Sequence, residues 1–117
     1  MKFLRGFISI MMVCGLLAGN ATAAEKATAQ PVVVDVRSQQ EWLTGHLEGA
    51  VLIPHEQIVE GIAKVTSDKK AKILLYCRSG RRTAIAIDEL KKNGYENLIN
   101  LGSIENASKE LGRAIVK

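Results

Sequence analysis

The chain has 117 residues, 47% of them hydrophobic, and a formal net charge of +4, which is enough for one small domain and no more. Lys2 and Arg5 supply two of those charges, and the +2 that is left without them is too small to argue for a nucleic acid or an anionic membrane as partner. The uncharged run from Phe7 to Leu17 is too short to cross a bilayer as a helix.

Small residues follow that run. Ala21-Thr22-Ala23 fits the small-x-small pattern of signal-peptide cleavage. Residues 1–23 therefore read as a secretory signal peptide, and residues 24–117 as a single domain of a periplasmic protein with no membrane attachment after cleavage. Cys14 lies inside the signal and lacks the small residues expected before a lipid-bearing cysteine. Cys77 is then the one cysteine of the mature chain, and no internal disulfide can form. A lone thiol in an oxidising compartment is a liability unless it is buried or used.

Glu25 to Gln30 is a polar, Ala-rich lead-in. Pro31 opens Val32-Val33-Val34-Asp35-Val36, a valine run without polar alternation, as in buried parallel strands. Ser38-Gln39-Gln40-Glu41 has the form of a capping box, which predicts a short helix that holds a core Trp42 and ends at Gly45. Glu48-Gly49 is a turn, and residues 50–53 are a short strand stopped by Pro54. Ile58 and Ile62 predict one amphipathic helix over residues 55–64. Lys69, Lys70 and Lys72 read as solvated. Residues 72–76 form a second buried strand, and residues 83–92 a helix with Ala84, Ile87 and Leu90 inward, stopped by Asn93-Gly94. Residues 98–101 are a third strand. Ile104, Ala107, Leu111 and Ile115 keep one register, which predicts a last helix over residues 104–116.

Strands alternate with helices throughout, so the fold class is α/β: a small central parallel sheet with helices on both faces. Active sites of such sheets lie at the carboxyl ends of the strands. Cys77 falls there, directly after a strand and before a helix.

The segment Cys77-Arg78-Ser79-Gly80-Arg81-Arg82-Thr83 favours a thiolate in three ways. Turn N–H groups and the helix dipole supply partial positive charge. Gly80 lets the loop curl through angles other residues avoid. Arg78, Arg81 and Arg82 bring cations close to the sulfur. The thiol should therefore ionise below its reference value of about 8.5. An inert buried cysteine would be expected among apolar neighbours. No His, Cys and Asp cluster has metal-ligand spacing, and one mature cysteine argues against zinc. His46 reads as structural, His55 as a helix-start surface residue, and Asp35 with Arg37 as an ion pair at a strand end.

The loop from Cys77 to Arg82 resembles the active-site loop of the single-domain rhodaneses. Val34-Asp35-Val36-Arg37, Glu41-Trp42, Gly45-His46-Leu47-Glu48-Gly49-Ala50 and Ile53-Pro54 resemble that family's first block in order and spacing. Gly94-Tyr95, Asn97-Leu98 and Leu101-Gly102 resemble its closing block, so the likeness runs over residues 32–103. It implies a rhodanese-like fold and a two-step sulfur transfer without a cofactor. Cys77 would take the outer sulfur of a donor such as thiosulfate as a persulfide and pass it to cyanide or a thiol, a protein thiol included. Arg78, Ser79, Gly80, Arg81 and Arg82 would bind the donor and cradle the persulfide. Asp35 and Arg37 would support the loop, with Arg82 facing inward to pair with Asp35.

The family often has Gly-Gly where this chain has Gly102-Ser103, and Ser103 is placed to cap the last helix. Two other readings compete. Cysteine-dependent phosphatases and arsenate reductases also use a Cys–Arg loop, but theirs is one residue longer than the spacing from Cys77 to Arg82 and fits a tetrahedral oxyanion. A docking module that has lost its cysteine is argued against by the complete loop. A persulfide carrier serving a protein partner is not separated from a small-molecule enzyme by these residues.

Overall fold

The computed structural model describes residues 30–117. The expected signal peptide, residues 1–23, lies outside them. Chain order is β1 (Val32–Asp35), α1 (Gln39–Thr44), β2 (His46–Leu47), β3 (Val51–Leu52), a 3-10 turn (His55–Gln57) and α2 (Ile58–Val65), continuing with β4 (Ile73–Cys77), α3 (Arg81–Lys92), β5 (Leu98–Ser103), α4 (Ile104–Leu111) and β6 (Ile115–Val116).

β3, β1, β4 and β5 lie side by side in that order, all parallel. The sheet is covered on both faces, which is why its strands read as nearly continuous apolar runs. Val34, Ile73, Leu75 and Cys77 point to the face packed by Ile58 and Ile62 of α2 and Ala86 and Leu90 of α3. Val33, Leu74 and Tyr76 point to the other, against Leu47, Leu101, and Ile104 and Ala107 of α4. Every residue of β4 is buried, and each large aliphatic side chain there contributes about 1.5–3 kcal/mol.

The order of the strands positions the site. From β1 the chain moves to β3 on one side, then crosses to β4 on the other. The carboxyl ends of β1 and β4 therefore flank the point where the winding reverses, where α/β sheets open a crevice.

Local signals account for most helix ends. The Ser38 hydroxyl accepts the Glu41 N–H at 3.2 Å, and Glu41 Oε1 accepts the Ser38 N–H at 3.0 Å, which closes the capping box and starts α1. Gly45 ends it. Ser103 caps α4 by accepting the Asn106 N–H at 3.1 Å.

Several expectations need correction. Trp42 is half-buried rather than core, and its ring stacks on His46 at 3.6 Å between centroids. The helix expected over residues 55–64 begins as a 3-10 turn, because the Gln57 N–H donates to Pro54 and the Ile58 N–H to His55, tightening the first turn. β4 includes Cys77. α3 starts at Arg81 and buries Thr83, Ala86 and Leu90, leaving Ala84 exposed. The last helix stops at Leu111, because Gly112 adopts φ +64 as its C-terminal cap. Beyond it, Ile115–Val116 pairs antiparallel with His46–Leu47.

Candidate active site

Cys77 ends β4, and the three residues after it, Arg78, Ser79 and Gly80, form the turn into α3. Gly80 stands at φ +93, ψ −9, a left-handed conformation that glycine adopts without steric penalty. This turns the Gly80 N–H back onto the Cys77 sulfur at 2.8 Å. A Cβ at Gly80 would also lie 3.3 Å from the Gly102 Cα, so loop and β5 approach as only glycines allow. Asn100 locks that approach. Its amide donates to the Gly80 carbonyl at 3.2 Å and its oxygen accepts the Gly102 N–H at 2.8 Å.

Burial pushes the Cys77 thiol up, but the Thr83 hydroxyl and the N–H groups of Thr83, Ser79 and Gly80 outweigh it and hold the thiol below its ordinary value. The expected direction stands, with a different main cause. Two of the three arginines thought to supply the field are turned onto a carboxylate. Arg82 grips Glu41 with two bonds of 2.8 and 3.0 Å, and Arg78, with its side chain 78% exposed, lies 4.0 Å from the same group. Arg81 is exposed and makes no ion pair among the described residues.

The expected pairing of Arg82 with Asp35 does not occur. Asp35 is fully buried, and Arg37 already saturates it: Nε lies 2.9 and 3.1 Å from the two carboxylate oxygens and Nη2 lies 2.8 Å from Oδ2, while the Arg37 N–H donates to Oδ1 at 2.9 Å. Arg37 also donates to the Gly45 carbonyl at 2.6 Å. Arg82, the second residue of α3, is half-exposed and meets Glu41 of α1 instead. Tyr76, one residue before Cys77, anchors the floor by accepting the Leu47 N–H at 3.0 Å.

Asp35 and Arg37 thus sit beneath the loop, and Arg78, Ser79, Gly80, Arg81 and Arg82 around it. Glu41, Thr83 and Asn100 were missed as site residues. Glu41 was legible as a capping residue, but its second bond, to a side chain 41 positions on, has no local signature. His46 Nδ1 lies 3.1 Å from the Trp42 carbonyl, which can only accept, so that nitrogen carries the hydrogen and the contact orients the ring. A cleft of about 410 Å³ lined by Arg37, Ser38, Gln40, Glu41, Thr44 and Arg78 runs beside the loop, and Cys77 does not line it.

Glu41 makes a pH prediction. Arg82, outweighing the burial that acts the other way, holds the Glu41 carboxyl down to about 2 from 4.5. The grip therefore stabilises the fold in full above pH 4.5 and is lost as pH falls through about 2. Thermal melts of the wild type and Glu41→Gln should differ at neutral pH and converge across that window.

The Rhodanese-like domain model matches residues 20–110. The chain belongs to the rhodanese-like domain family. Among relatives of this rhodanese domain, thiosulfate sulfurtransferase PspE of Escherichia coli is 32% identical over 92 residues, covering 79% of this chain and 88% of PspE. Probable adenylyltransferase/sulfurtransferase MoeZ of Mycobacterium tuberculosis is 36% identical over 104 residues, which is 75% of this chain but 26% of MoeZ. The rhodanese domain described here thus spans about a quarter of that protein. A solved structure of a rhodanese with anions from E. coli superposes with a TM-score of 0.68 at 28% identity, covering 75% of this chain and 99% of that one.

Proposed function

We propose that this rhodanese domain is a sulfurtransferase that moves sulfane sulfur from thiosulfate or a similar anionic donor to a thiophilic acceptor through a persulfide on Cys77. The observation that carries the reading is the loop itself: a thiol held below its ordinary value and met by the Gly80 N–H at 2.8 Å. A preformed thiolate needs no separate base. It attacks the outer sulfur of thiosulfate; the donor's S–S bond breaks and its electron pair leaves with sulfite. The persulfide keeps one negative charge on its outer sulfur, for which the loop N–H groups of Ser79 and Gly80 are the natural donors. Arg81, and Arg78 at the rim, favour the approach of an anion. Cyanide or a thiolate then attacks the outer sulfur and Cys77 leaves as thiolate. The likeness to PspE, over most of both chains, supports thiosulfate as the donor.

Intact mass after incubation with thiosulfate tests this. The protein should gain one sulfur atom and lose it on adding cyanide. A thiol that stays free and titratable, with no gain in mass, rejects the reading.

A second reading is supported by the match to a quarter of MoeZ: Cys77 carries the persulfide to a protein thiol. A carrier loads rapidly but discharges poorly to cyanide. We propose the periplasm as the place of either role, because residues 1–23 read as a cleavable signal peptide; the mature chain would then begin at Ala24.

A further inference from the structure

Thr83 stands in the first turn of α3, fully buried. Among the described residues its hydroxyl is the one buried side-chain oxygen or nitrogen without a hydrogen-bond partner. Such a group has left water and gained nothing in exchange, which costs stability. Folded proteins keep few of them, and each calls for an explanation. The chemistry next to this one supplies it. Thr83 lies in the first turn of the helix that follows the Cys77 loop, and its hydroxyl favours the ionised form of the Cys77 sulfur ahead of every backbone N–H of the loop. A neutral thiol is a weak acceptor, which leaves the hydroxyl unpaired; a thiolate is a strong one.

We propose that the Thr83 hydroxyl is the side-chain donor reserved for the anionic Cys77 sulfur, stabilising it before loading and again at discharge. The second role deepens the sulfur-transfer reading above and rests on it. In the persulfide the charge lies on the outer sulfur. When cyanide attacks that sulfur, a C–S bond forms, the S–S bond breaks, and its electron pair returns to Cys77 as thiocyanate departs. Charge therefore develops on the Cys77 sulfur, whose ionised form the Thr83 hydroxyl favours. The hydroxyl strengthens its hydrogen bond without giving up its proton, so no co-reactant is needed. A donor aimed at the atom where charge appears is what accelerates such a step.

The stability argument gives this inference an unusual signature. Thr83→Val keeps the shape and removes the orphan hydroxyl. Its melting temperature should equal or exceed that of the wild type. Its alkylation by iodoacetamide should fall about tenfold at neutral pH, as befits losing one hydrogen bond to a charged group, with the pH profile displaced upward. Discharge of a preloaded persulfide to cyanide should slow by a similar factor. Thr83→Ser keeps the donor and should restore both rates; Thr83→Ala serves the same comparison if valine does not fold. A valine or alanine variant with the wild-type alkylation profile, or a serine variant as impaired as valine, overturns the inference. Alkylation needs no sulfur donor, so it judges Thr83 even if the wild type never takes up sulfur, an outcome that would sink the sulfur-transfer reading alone.

Discussion

Cys77→Ser is expected to lose thiocyanate formation from thiosulfate and cyanide by on the order of 10⁴-fold or more, while melting like the wild type. The serine hydroxyl is nearly isosteric with the thiol and can still accept the Gly80 N–H that now reaches the sulfur at 2.8 Å, so the loop keeps its curl. What is lost is the nucleophile. The donors that favour a thiolate cannot ionise an alcohol at neutral pH, and oxygen cannot carry the transferred sulfur as a persulfide. Cys77 is the free cysteine among the described residues, so no neighbouring thiol can substitute. Turnover within about tenfold of the wild type would mean that sulfur moves without a persulfide at this position.

Asp35→Ala is expected to cost about 3–5 kcal/mol in urea denaturation, because it strands a buried arginine. Arg37 is 5% exposed and directs three side-chain contacts at the Asp35 carboxylate. Without that carboxylate, the hydrogen bond to the Gly45 carbonyl and the Tyr76 ring, 5.8 Å away, are left to the guanidinium, and neither can replace a counter-ion. A loss of this size is a large share of the 5–15 kcal/mol that holds a small domain folded. The paired variant Asp35→Ala/Arg37→Met should recover much of it, since the damage lies in the unpaired charge more than in the missing bond. A single variant losing less than about 1 kcal/mol would show that water or another group reaches Arg37 and that the pair does not hold the floor of the site.

The two substitutions separate two layers that the local sequence shows unequally. Cys77 and its loop are contiguous, and strand, cysteine, glycine and helix start follow one another within a few positions. The Asp35–Arg37 pair is also local, with its partners two residues apart. The pairing of Arg82 joins residues 41 apart. The pairing with Asp35 is what the family resemblance implies, and only the packing shows that Asp35 is held by Arg37 and that Glu41 meets Arg82. The same holds for Thr83. Its position on the inner side of α3 is decided by how the helix packs on the sheet, which buries Thr83 and Ala86 and leaves Ala84 exposed.

The C-terminal segment follows the same rule. The register of Ile104, Ala107, Leu111 and Ile115 reads as one helix because apolar spacing carries no information about backbone sign. Gly112 at φ +64 breaks it, and β6 then finds its partner in β2, which no neighbour in sequence predicts.

By itself, then, the order of residues determined the alternation of strands and helices, the parallel buried sheet, the capping box of α1 and the cysteine loop between strand and helix. Each of these depends on hydrophobic period, on turn chemistry or on groups a few bonds apart. The tertiary structure decided which acid neutralises which arginine, which donors reach the sulfur, and which hydroxyl is left waiting for its charge. Those choices depend on burial and on distances between segments remote in sequence, where the removal of water and the geometry of approach select one partner among several of suitable charge.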